Sequence, residues 1–179
     1  MSQGWMSKAR HGALLLALLI IPNLLAFGED PPKVQEYPFE GTWSATGTRQ
    51  ALHVGPGKRA VIFYLSGSMI LTAHEGLSRG FRNEAIGYGT ESGLRASCVW
   101  TDDEGDQIFS ELEGPGLGSG SHVVGTITGG TGRYAGATGR FEFDWQFLVD
   151  APDGVIQGWA VGLRGTVCKP APAAMKGSP

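Results

Sequence analysis

The chain has 179 residues, with 14 basic and 17 acidic side chains, a formal net charge of −3 and 29 glycines. A chain of this length holds one domain around one hydrophobic core, and its acidic balance argues against a nucleic-acid partner and against docking on an anionic membrane. The glycines far exceed the ~7% of ordinary chains and show no collagen period, which assigns them to turns, bulges and close strand approaches.

In chain order, Lys8, Arg10 and His11 precede an apolar run over residues 12–21, followed by Pro22 and a small-residue exit at Ala26-Phe27-Gly28. This charged, apolar, small layout is that of a secretory signal peptide over residues 1–28, cleaved after Ala26 or Gly28. The run is about half of the ~20 residues that span a bilayer, so no stable membrane anchor is expected. No cysteine directly follows it to accept a lipid. The expected product is secreted or periplasmic, and loss of Lys8 and Arg10 leaves 12 basic against 17 acidic residues, a charge of −5.

Residues 29–38, with Pro31, Pro32 and Pro38, read as an extended linker. Strands are then predicted over 39–49, 60–72, 81–90, 94–102, 107–113, 122–128, 140–149 and 155–168. Eight short segments separated by turn signals are the pattern of a sandwich or closed barrel, here a β-domain over 39–169. Residues 170–179, rich in proline, alanine and glycine, read as a disordered tail.

The loops carry few chemical signals. Asp102-Asp103-Glu104-Gly105-Asp106 fits a hairpin loop with Gly105 at positive φ; it lacks the distal glutamate of a calcium loop and reads as a solvated turn. Asp150-Ala151-Pro152-Asp153-Gly154 is a second such loop. The run Gly129-Gly130-Thr131-Gly132 lacks the Lys-Ser/Thr ending and following helix of a phosphate loop, and reads as a wide turn or bulge at the barrel rim. Gly118-Ser119-Gly120 has no helix behind it and is no hydrolase elbow. His53, His74 and His122 have no Glu or Cys at ligand spacing, so no metal and no cofactor are expected.

Residues 125–147, GTITGGTGRYAGATGRFEFDWQF, carry the clearest strand signal. Phe141, Phe143, Trp145, Phe147 and Val149 fall on one face, with Glu142, Asp144 and Gln146 on the other. If that aromatic stripe points inward, alternation places Val155, Gln157, Trp159, Val161 and Leu163 inward beside it. Ala96, Cys98 and Trp100, then Ile108, Ser110 and Leu112, complete the wall. The ligand-binding candidates are therefore Phe143, Trp145, Trp100 and Trp159 as apolar surface, with Asn83, Ser110 and Gln157 as polar anchors. A filled core without a ligand is the other reading of the same residues.

Arg82 and Glu84 share a face with Ile86 and Tyr88. Outward, they are solvated or at a subunit interface, the preferred reading because unpaired buried charge is costly. Inward, Glu84 would transfer a proton, and Arg82 or Tyr88 would stabilise developing negative charge. Cys98 and Cys168 are permitted to pair in an oxidising compartment, with two separate buried thiols as the alternative.

Gly129, Gly130, Thr131, Gly132, Tyr134, Gly136, Gly139 and Phe141 resemble the corresponding turn of the allene oxide cyclase and dirigent barrels and their bacterial relatives. The resemblance is clearest over residues 121–168. It implies an eight-stranded antiparallel barrel, dimeric or trimeric, whose mouth and lumen bind hydrophobic molecules and sometimes guide their cyclisation or coupling. Gly41-Thr42-Trp43 also resembles the G-x-W at the first strand of the calycins, where the tryptophan plugs the barrel floor, and Arg164 matches the arginine that in lipocalins packs across that indole. No catalytic residue transfers from either family, and fold alone does not supply function. The expected function is an exported small barrel binding an apolar or aromatic molecule. The alternatives are a cofactor-free cyclase or isomerase, and a structural envelope protein without a ligand.

Overall fold

The structure, a computed structural model, describes residues 33–116 and 118–171; the expected signal peptide and residues 172–179 of the expected tail lie outside them. Eight antiparallel strands close into a barrel in sequence order. They are β1 (Val34–Gly55), β2 (Lys58–Ala73), β3 (Gly80–Thr90), β4 (Gly93–Thr101), β5 (Gln107–Gly114), β6 (Ser121–Gly130), β7 (Thr138–Asp150) and β8 (Val155–Pro170). Closure comes from β1 pairing with β8, so no long unpaired sheet edge remains.

The barrel is longer at its seam than the sequence pattern indicates. Residues 34–38, expected as linker, form the start of β1 and pair with β8 from Val34 opposite Pro170 to Pro38 opposite Thr166. Pairing of β1 with β2 begins only at Glu40, so Pro38 sits where one side of the strand is open and its missing N–H costs no ladder bond. Ala171 N donates to Lys33 O at 2.7 Å, so both ends of the described chain meet at one end of the barrel.

Alternation decides which side chains enter the lumen, and bulges decide where the phase changes. Phe141, Phe143 and Trp145 of β7 are buried inward as the pattern requires. On β8 the inward residues are Ile156, Gly158 and Ala160, then Leu163 and Val167. Between Ala160 and Leu163 the strand carries one extra residue relative to β1, and Gly162 at φ 66° absorbs it where other residues would be strained. The inward placement of Val155, Gln157, Trp159 and Val161 is thereby corrected: all four face outward, and Trp159 is 46% exposed. Only Leu163 keeps its expected side, because strict period 2 was carried back across the bulge. A second register shift, between Phe147 and Val149, turns Val149 out as well.

One end of the barrel is closed by its loops. After β6 a single 3₁₀ turn (Gly132–Tyr134) drops Tyr134, fully buried, into the base of the core. The glycine run 129–132 therefore serves as the hinge of a plug. Leu77 from the β2–β3 loop and Ala137 join it in the core. The opposite end is rimmed by the β1–β2, β3–β4, β5–β6 and β7–β8 connections.

Candidate binding site

An aromatic column runs the length of the lumen. From the open end, Phe147 meets Trp145 edge-on at 6.0 Å, Trp145 meets Trp43 at 5.2 Å, and Trp43 meets Phe143 at 6.0 Å. Phe143 stacks on Phe141 at 6.3 Å, which meets Trp100 at 5.0 Å; Phe81 then links Trp100 to Tyr134. Offset and edge-to-face pairs of this kind add to the stabilisation from burial alone.

The closed half of this column is filled and tied by charge. Asp102 Oδ1 accepts from the amides of Glu104 (2.9 Å) and Asp106 (3.0 Å), while Oδ2 accepts from Arg133 Nε (2.9 Å) and Nη2 (2.8 Å). Burial alone would raise the Asp102 pKa, but these amides, the Tyr134 hydroxyl and the guanidinium outweigh it and hold the carboxyl below its ordinary range. The acidic loop is thus more than the solvated turn its composition indicates. Gly105 takes the expected positive φ, 89°, but Asp102 is buried and locks the loop to the plug. Burial pushes the Tyr134 phenol up, and its oxygen accepts from Ser78 N at 3.3 Å.

The open half holds a well. Trp43, Phe63, Leu65, Phe143, Trp145 and Phe147 form its walls, with Ala85 and Leu112 deeper and Arg49 at the rim. The well is narrow, with a cavity volume of ≈ 50 Å³ below a mouth open to solvent. That is a few times the ~10–15 Å³ that one water needs, room for roughly one flat ring with the remainder of a larger molecule at the mouth. Arg49 forms an ion pair with Asp150 at the end of β7 and donates its backbone N–H to Gly154 O of the β7–β8 loop at 2.8 Å.

The sequence-derived candidates divide by strand face. Phe143 and Trp145 line the well. Asn83, Trp100 and Ser110 are inward and buried, one layer beneath it. Gln157 and Trp159 lie on the outer wall. Arg82, Glu84 and Tyr88 also face outward, Tyr88 being 52% exposed and Glu84 accepting from the Tyr64 hydroxyl at 2.7 Å. The condition for an acid–base role inside the lumen is not met.

Arg164, matched to the calycin arginine, is on the outer face and bonded to Glu142. Trp43 lies opposite Ala160, and Leu163 takes the inward place next to Arg164, so the guanidinium does not reach the indole. Both cysteines are free thiols: Cys98 lies on β4 and Cys168 on β8, strands that share no neighbour. Burial pushes the Cys98 thiol up to about 12, which keeps it protonated and unreactive.

Arg49, Val61, Phe63 and Leu65 were not among the sequence candidates. Their signal is nevertheless present: extending the inward phase of Trp43 and Ala45 reaches Arg49, and Val61, Phe63 and Leu65 alternate with Ile62 and Tyr64.

No protein-family model matches this chain, and no curated protein matches it. Among solved structures it is similar to that of a pterocarpan synthase dirigent protein, at 16% identity and a TM-score of 0.40, covering 84% of this chain and 92% of that one. A likeness at that level transfers no residue roles, and the site rests on its own geometry.

Proposed function

We propose that this protein is an exported β-barrel that binds an apolar or aromatic small molecule in the well at its open end. The observation that carries the reading is the contrast within one lumen: the closed half is filled, whereas the open half leaves an aromatic-walled space. Dry concave walls with few polar groups are the usual chemistry of a small-molecule site. A cofactor-free cyclase or isomerase would use the same well to hold a flexible substrate in a productive shape. Binding is preferred because Arg82, Glu84 and Tyr88, the groups expected to move protons, lie outside the wall. A purely structural role leaves the well unexplained.

The test is titration of the purified protein with a hydrophobic dye, read by tryptophan emission, since Trp43 and Trp145 line the well. Saturable quenching is expected, and Ala85→Leu, which fills the deep end, should weaken it at least tenfold. Quenching that never saturates in the native protein overturns the proposal.

The outer wall supports a second copy of this chain as a partner. Outward positions of β2 (62–72), β1 (42–48) and β8 (155–161) carry no charge across three adjacent strands, and they include Ile62, Tyr64 and Trp159. Outward positions of β7, by contrast, carry Arg140, Glu142 and Asp144. Faces depleted of charge and enriched in aromatic residues mark interface cores. Sedimentation should show a dimer or trimer that Trp159→Lys converts to monomer; a native protein that stays monomeric at high concentration would refute this partner.

A further inference from the structure

Four polar side-chain atoms in the lumen have no hydrogen-bond partner among the described residues: Trp43 Nε1, Asn83 Nδ2, Trp100 Nε1 and Ser110 Oγ. Their residues are at most 3% exposed. Three of the atoms are obligate donors and the fourth is a hydroxyl that can donate. Leaving a buried donor unmatched costs more than an apolar group of the same shape, so such atoms call for a partner.

The register sets three of them on neighbouring strands, in two successive inward rows. Asn83 lies opposite Trp100 across β3 and β4, and Cys98 lies opposite Ser110 across β4 and β5. Ala85 and Leu112, which line the deep end of the well, are each two residues along the strand from Asn83 and Ser110. Asn83 and Ser110 therefore each lie one inward step, about 6–7 Å, below the well. Trp43 belongs to the well itself and brings its indole N–H to the same lumen. Acceptors are scarce there: the Cys98 thiol donates to Asn83 Oδ1 at 2.7 Å, and sulfur is a weak acceptor for the indole and hydroxyl beside it.

Resting on the reading of the well as a ligand site, we infer that its ligand is a neutral molecule with an acceptor oxygen at a narrow inner end, such as a ketone, ether or ester, which displaces the Leu112 side chain at the floor of the well and is received by Asn83, Ser110 and the indole N–H groups beneath it. The apolar body fills the aromatic well and the oxygen accepts from donors that the protein leaves unmatched. A carboxylate does not fit, because the cation lining this space, Arg49, is at the rim and already paired with Asp150.

Acetophenone and α-methylstyrene test this, since they have nearly the same shape and differ in carrying C=O or C=CH2. Binding of each to the full-length protein is measured by calorimetry, and the acetophenone carbonyl stretch is followed by infrared difference spectroscopy. The stretch should move to lower frequency on binding. The ratio of the two dissociation constants should shift about tenfold against acetophenone in Asn83→Leu, and severalfold in the milder Ser110→Ala. If Asn83→Leu fails to fold, Ser110→Ala and the infrared shift decide the matter. Binding of both probes with an unshifted carbonyl and an unchanged ratio in Ser110→Ala overturns the acceptor inference and leaves the well intact. Saturable binding by neither probe overturns the well as well.

Discussion

The two ends of this barrel share the same eight strands and solve opposite problems. At the closed end Asp102, Arg133, Ser78 and Tyr134 tie three loops together over a filled core. At the open end the connections are tied by solvent-facing side chains, such as Arg49 with Asp150 and Ser119 with Gln146, around a narrow apolar well. The difference teaches that stability and recognition are separated along the axis. Charge is buried where the structure must hold shut, and aromatic surface is left uncovered where a molecule can enter.

The largest effect should come from breaking the column beneath the well. Phe141→Ala removes a ring that contacts Phe39, Trp100 and Phe143, and should lower unfolding free energy by about 3–5 kcal/mol in urea titrations. A loss no greater than that of a surface substitution would mean the closed half is not the stable half.

Arg133→Ala comes next. It strips the guanidinium from Asp102, leaving the two amides and the Tyr134 hydroxyl, and should cost about 1–3 kcal/mol at neutral pH. Folding lowers the Asp102 pKa, so this carboxylate stabilises the fold above its unfolded-state pKa of about 3.9. That contribution disappears as pH falls through the lowered folded value. Urea midpoints followed from neutrality into acid should therefore converge for native and Arg133→Ala proteins; a constant gap between them would remove Asp102 from the explanation.

The smallest effect sharpens the same contrast from outside. Glu84→Gln changes a carboxylate on the outer wall and should alter stability by no more than ~0.5 kcal/mol and dye affinity not at all. A marked loss of dye affinity would move the site from the well to the outer face of β3.

The strands themselves were legible because alternation of aromatic and charged residues is a direct imprint of a sheet with one dry side, as in Phe141 to Trp145. What alternation does not mark is where its phase slips. The bulges around Gly162 and Leu148 cost one residue each, which was enough to misplace Gln157, Trp159 and Val149. Asn83, Trp100 and Ser110 were placed inward correctly, since no bulge interrupts the pairing of β3 with β4 or of β4 with β5. Asp102 reads as solvated in the sequence, yet is buried, for a different reason. A run of acidic residues looks hydrated, and its partner Arg133 is 31 residues away in sequence, brought near by the pairing of β5 with β6.

The meeting of Lys33 with Ala171 at the closed end has a practical corollary. A fusion partner or surface tether joined at either terminus of the barrel would hang from its base, leaving the aperture pointing away from the support. An immobilised array of this domain would thus display every opening to the fluid, without any redesign of the loops that frame it.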